Sequence, residues 1–344
     1  MKLDGKNNII DEAQTDRADW DFVWVGDRGN ATVYWPWTEW SQLNNSGNAD
    51  DTDPEELGII ADAGGEPRTH GLDDRPVQYH HHLITMYSNL KAPEDYTKYP
   101  ASIIENITED DGMVYFAHHG DYDEEWGRPL RYYSMFFDSW TPEDGLLGLS
   151  GYTKYSPDPR ETSWDDWSLE GSWDALLSKY SPDFAPVFLL EDDCDSFDNQ
   201  DWDAGAHLRW TELIMDQEVW DGLGHERPPE VKEMFKRGQF ICKYRTSWDV
   251  DPPEVHSIDV DENAGTVTID ASNYDSIDWV SYDGKVVESG DTLDYGSTSG
   301  VIGYFRARVY TEDEPLTGTL TQAFTIGGDG TRMVGSKDDS ISTY

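Results

Sequence analysis

The hydrophobic positions of this chain change rhythm at Pro252-Pro253. Before it, short apolar runs alternate with polar loops and with stretches whose apolar residues fall on one helical face; after it, apolar and polar residues alternate one by one. In the first part, buried strands are predicted at 20–25, 57–61, 83–85, 112–117, 146–149, 186–190, 210–215 and 239–242. Helices are predicted at 9–13, at 100–107 with Ile103, Ile104 and Ile107 on one face, at 173–178, and at 229–237 up to Gly238. The aromatic stretch 130–140 is helical or irregular. Strand, polar loop and helix in repeated order imply an α/β domain over 1–250, with a parallel barrel or open sheet.

The second part carries Val255, Ile258 and Val260, then Thr266-Val267-Thr268-Ile269, Ile277-Asp278-Trp279-Val280, the turn Asp283-Gly284, and further runs at 301–310 and 324–326. Alternation broken by Gly and Asp turns predicts a small all-β, immunoglobulin-like sandwich over 251–327. Residues 328–344 are rich in Gly, Ser and Asp and are expected to form a flexible tail.

Charge narrows the function classes. The 344 residues contain 70 acidic and 25 basic side chains, a formal charge of -45. Phosphate backbones and anionic lipid surfaces are bound through Lys and Arg, so nucleic acid and membrane surfaces are not expected partners. Self-repulsion at this density opposes compaction unless salt screens it, which points to a halophilic protein. With 15 Trp, 19 Tyr and 11 Phe the chain has the means to bury a core, which argues against disorder. Two cysteines, Cys194 and Cys242, provide no disulfide framework and allow at most one bridge, between each other. No export signal or spanning segment is visible, so a cytoplasmic or virion location is expected.

Candidate chemistry gathers in 80–120. Tyr79-His80-His81-His82-Leu83 opens the stretch and Ala117-His118-His119-Gly120 closes it, placing five of nine histidines beside two apolar runs. Imidazoles at the ends of successive parallel strands are where metal or phosphate chemistry commonly sits. The same residues also fit satisfied histidine clusters at strand ends, and both readings stand. The tryptophans Trp35, Trp37 and Trp40 suit aromatic packing or stacking on sugar rings.

The order of these segments resembles the polymerase and histidinol phosphatase (PHP) superfamily of metal-dependent phosphoesterases. Asp4-Gly5 and the segment Ile9-Ile10-Asp11-Glu12-Ala13 resemble its early Asp-Gly and first helix. Trp20-Asp21-Phe22 leading to Asp27-Arg28 is similar to its strand ending in Asp-His. Gly65-Glu66 resembles the Gly-x-Glu that supplies a bridging carboxylate, and His81-His82-Leu83 the histidine after it. Ala117-His118 resembles the Ala-His-Pro loop, and Asp193-Cys194-Asp195 stands where the family has Asp-x-His. The resemblance implies a distorted PHP-type β/α barrel with metals at the strand ends, followed by the small β-domain of one PHP branch.

The departures set the functional expectation. The family's first His-x-His would lie before Met1, Arg28 replaces one histidine and Asp195 another. The resemblance then leaves Asp27, Glu66, His81, His82, His118, Asp193 and Asp195 for at most one divalent ion, Zn or Mn. Arg28 would repel a cation and is suited to neutralising Glu66 or Asp193 in its place. Phosphoester hydrolysis at such a site needs clustered metals. The expectation is therefore a degenerate, non-catalytic structural or binding protein with no catalytic residues, such as a virion or surface-recognition component of a halophilic system. Its partners would be proteins, further copies through the β-domain, or a cell-surface glycan. The rival is a working metal-dependent phosphoesterase with a reduced site.

Overall fold

The computed structural model describes residues 22–24, 60–62, 64–65, 68–69, 81–88, 100–117, 130–151, 169–190, 209–215, 217–223, 227–245, 250–312, 317–327 and 330–333. The chain divides into two compact units, Met1–Ala117 with Asp193–His207, and His118–Asp192 with Leu208–Tyr344.

In the first unit β1 (Phe22–Trp24) pairs in parallel with β2 (Ile60–Asp62). The short β3 (Gly64–Gly65) and β4 (Arg68–Thr69) both run antiparallel to β5 (His81–Met86). The predicted isoleucine helix forms as α1 (Pro100–Glu109), with Pro100 at its first turn, where a missing N–H costs nothing. Ile103, Ile104 and Ile107 are buried. Asp111 takes a left-handed conformation after the helix, and the Gly112 amide donates back to the Ile107 carbonyl at 2.8 Å. A Cβ on Gly112 would stand 2.7 Å from the Ser88 Cβ, so this turn needs glycine. The chain then enters β6 (Met113–Ala117), buried throughout and antiparallel to β5.

The second unit begins with α2 (Leu130–Phe137), β7 (Leu146–Gly151), α3 (Leu169–Tyr180) and β8 (Val187–Leu190), where β7 and β8 pair in parallel. There follow β9 (Arg209–Leu213), α4 (Gln217–Leu223), α5 (Arg227–Lys236) and β10 (Phe240–Arg245). Next come β11 (Glu254–Asp261), β12 (Thr266–Ser272), β13 (Ser276–Ser281), β14 (Lys285–Ser289) and β15 (Thr292–Asp294). Last are β16 (Tyr304–Tyr310), β17 (Thr317–Thr321), β18 (Phe324–Gly327) and β19 (Gly330–Met333). One sheet has the order β14-β13-β16-β17-β10-β9, with β18 beside β16 and β19 beside β18; a three-stranded sheet has the order β11-β12-β15. Their apolar faces meet in a core of Ile258, Val267, Ile269, Ile277, Trp279, Leu293, Phe305, Ala307, Val309 and Phe324. Period-two patterning sends every second residue of these strands to one face, but the larger sheet also takes in β9 and β10 from before Pro252, so a barrel followed by a separate small immunoglobulin-like domain is not what forms. At its Asp283-Gly284 turn both residues have positive φ, as that dipeptide favours.

The PHP-type β/α barrel expected over 1–250 is not what forms. The described residues are 44% strand and 25% helix and close no barrel. The histidine-bearing run and the run ending at Ala117 are antiparallel neighbours, not successive parallel strands, and β9 and β10 are antiparallel too. Parallel pairing is seen at β1–β2 and at β7–β8. The reason is physical: a run buried on both faces, such as Met113–Ala117, carries no pattern that distinguishes a parallel from an antiparallel partner.

Hydrogen bonding also runs across the change of rhythm at Pro252-Pro253. Strand β10 pairs with β17 from Ile241↔Thr321 to Arg245↔Thr317, and the Thr319 hydroxyl donates to the Pro253 carbonyl at 2.7 Å. No helix among the described residues is long and apolar enough to cross a membrane.

Candidate functional site

Of the residues singled out for metal or cation chemistry, Asp27, Arg28, Glu66, His118, Asp193 and Asp195 lie outside the described residues. His81 and His82 lie in β5, where the backbone of His81 pairs with Thr69 and that of His82 with Arg68 on one side and Ala117 on the other. Ala117 immediately precedes His118 in the chain. The strand pairing therefore sets the backbone of His82 opposite that of Ala117. Among the described residues no group of three or more His, Cys, Asp or Glu side chains is arranged to hold a metal ion.

A buried polar cluster lies in the second unit, between α3 and the back of β16. Helix α3 buries Trp173, Leu176 and Leu177, and Asp174 goes inside with them. Alternation along β16 sends Phe305, Ala307 and Val309 to the sandwich core and leaves Tyr304 and Arg306 on the opposite face, where both are fully buried. There the Arg306 guanidinium grips the carboxylate in a two-pronged bond, Nε to Asp174 Oδ1 at 2.9 Å and Nη2 to Oδ2 at 2.7 Å. The same guanidinium lies 4.9 Å from the centre of the Trp173 ring, a cation–π contact strengthened by the absence of water.

Tyr304 completes the cluster, its hydroxyl 2.9 Å from both Asp174 Oδ1 and the Ser281 carbonyl, which share one proton. Burial, reinforced by the neighbouring Asp174 carboxylate, pushes this phenol far above its ordinary range. The turn at Gly284 closes on the cluster: a Cβ there would stand 2.9 Å from Asp174 Oδ2. The Asp283 amide donates to Ser178 Oγ of α3 at 2.9 Å.

A second polar knot fixes β8. The Gln322 side chain takes the place of a neighbouring strand, accepting from the Phe188 amide at 2.9 Å and donating to the Phe188 carbonyl at 2.7 Å. The Cys242 thiol donates to the same carbonyl at 3.1 Å, and the Trp173 indole donates to the Pro186 carbonyl at 2.7 Å. Complete burial pushes the Cys242 thiol up to about 12, which keeps it protonated and makes it a poor nucleophile. Lys243, also buried, bridges Glu212 of β9 at 2.6 Å and Glu254 of β11 at 2.9 Å.

At the surface, Asp138 accepts from the Tyr180 hydroxyl at 2.7 Å and from Lys179 Nζ at 3.0 Å. The first bond, then the second, lowers its carboxyl below the usual value. These residues clamp the end of α2 to α3.

Sequence reading does not find Asp174, Tyr304 and Arg306. A charged residue in an amphipathic helix, or on alternate positions of a strand, normally faces water. The one available signal is that Asp174 sits directly against the apolar stripe of Trp173, Leu176 and Leu177. Compared with known proteins, the chain matches no family model, no curated protein and no solved structure.

Proposed function

We propose that this chain is a structural or binding protein rather than a hydrolase. The observation that carries the reading is the use made of the buried reactive groups in the second unit. Both carboxylate oxygens of Asp174 are held by Arg306, Lys243 bridges two glutamates, and the Cys242 thiol is protonated and turned to a backbone carbonyl. Each joins one element to another, which suits a body built to hold its shape and present a surface. The acidic composition supports a high-salt setting, such as a halophilic virion or cell surface, with protein or glycan partners.

A single-ion phosphoesterase is the second reading, favoured by the pairing of His82 with Ala117 next to His118. One experiment separates the two: elemental analysis of the full chain in molar salt, together with hydrolysis of a generic phosphate monoester with and without chelator. Absence of chelator-sensitive hydrolysis is the expected result. One tightly held Zn or Mn per chain, with hydrolysis lost in His118→Ala and Asp193→Ala, establishes the second reading; two or more ions with such hydrolysis would overturn the first outright.

A further inference from the structure

We draw no further inference here: the strongest candidate, the exposed apolar side chains Tyr282, Val286 and Ile302 at the β13–β14 end of the sandwich sheet, carries nothing because nothing in the structure shows what covers them.

Discussion

The two faces of β16 are buried by different means. On one, Phe305, Ala307 and Val309 join an apolar core in which the Phe305 ring stacks on Phe324 at 5.0 Å and on Tyr295 at 5.3 Å. On the other, Arg306 and Tyr304 meet Asp174 through directed hydrogen bonds. Apolar packing rewards area removed from water and accepts many arrangements of similar volume. A bidentate ion pair accepts very few, and its two charges lose their hydration before they gain each other. The apolar face thus supplies most of the driving force, while the polar face specifies which helix docks on the sheet and in what position.

The sharpest way to break the comparison is to remove one charge. Arg306→Ala leaves the Asp174 carboxylate buried without its counter-charge, strips the cation from Trp173 and opens space, so a loss at the upper end of about 3–5 kcal/mol is expected. Urea unfolding of the full chain in molar salt reads this as a fall in midpoint. The double variant Asp174→Leu/Arg306→Met should recover most of the loss, since an apolar pair of similar volume avoids the desolvation cost. If the double variant is as unstable as Arg306→Ala, the joint owes its stability to the charges themselves and the division of labour between the faces is wrong.

Next in size is the apolar face. Phe305→Ala removes a ring stacked on both sides and should cost about 3–4 kcal/mol, whereas Phe305→Leu should cost roughly half as much. The contrast to measure is tolerance: a conservative swap on this face retains much of the stability, but Arg306→Lys, which cannot keep the fork, should behave much more like Arg306→Ala.

The same contrast explains what could be read in advance. Helix α1 follows from Ile103, Ile104 and Ile107, the sandwich strands follow from alternation at Val267, Ile269, Ile277 and Trp279, and Asp283-Gly284 announces its turn. All of these are local signals. Strand direction is not local: Met113–Ala117 and Phe240–Arg245 are buried almost throughout, and a run without a polar face fits either orientation and many partners. That is how an antiparallel arrangement could be taken for a β/α barrel. The change of rhythm at Pro252-Pro253 is real, yet β10 before it and β17 after it are hydrogen-bonded neighbours. Of the expected site residues, only His81 and His82 fall among those described, and their strand was legible while its orientation was not. The Asp174–Arg306 pair, separated by 132 positions, leaves no mark on either segment that a solvent-facing charge would not also leave.

A smaller effect is expected at the Gln322 knot. Gln322→Ala deletes the two amide bonds that hold the middle of β8 and should cost about 1–3 kcal/mol. Gln322→Glu keeps an acceptor for the Phe188 amide but turns a donor into an acceptor against the Phe188 carbonyl, so it should be no better than alanine. Hydrogen exchange at the Phe188 amide is the direct measurement. Faster exchange there, with the sandwich amides of Val267 and Ile269 unchanged, would show that the polar side loosens independently of the apolar core.

The smallest effect sharpens the comparison through pH. Cys242 is held protonated by burial, its pKa pushed up to about 12 from an ordinary 9.0, so the folded chain keeps a proton that the unfolded chain releases as pH rises. The stabilisation is fully present below pH 9 and is lost progressively between pH 9 and about 12. From pH 9 to 10 this one group should account for about 1 kcal/mol of lost stability. Tyr304, raised by its own burial, adds to the decline above pH 10, the ordinary phenol value. Cys242→Ala has no thiol to titrate and should therefore show a shallower fall between pH 9 and 10 than the parent, even if it starts from a lower stability. Equal slopes would mean that the thiol meets water in the folded chain, and that the knot around Phe188 is looser than the cluster at Asp174.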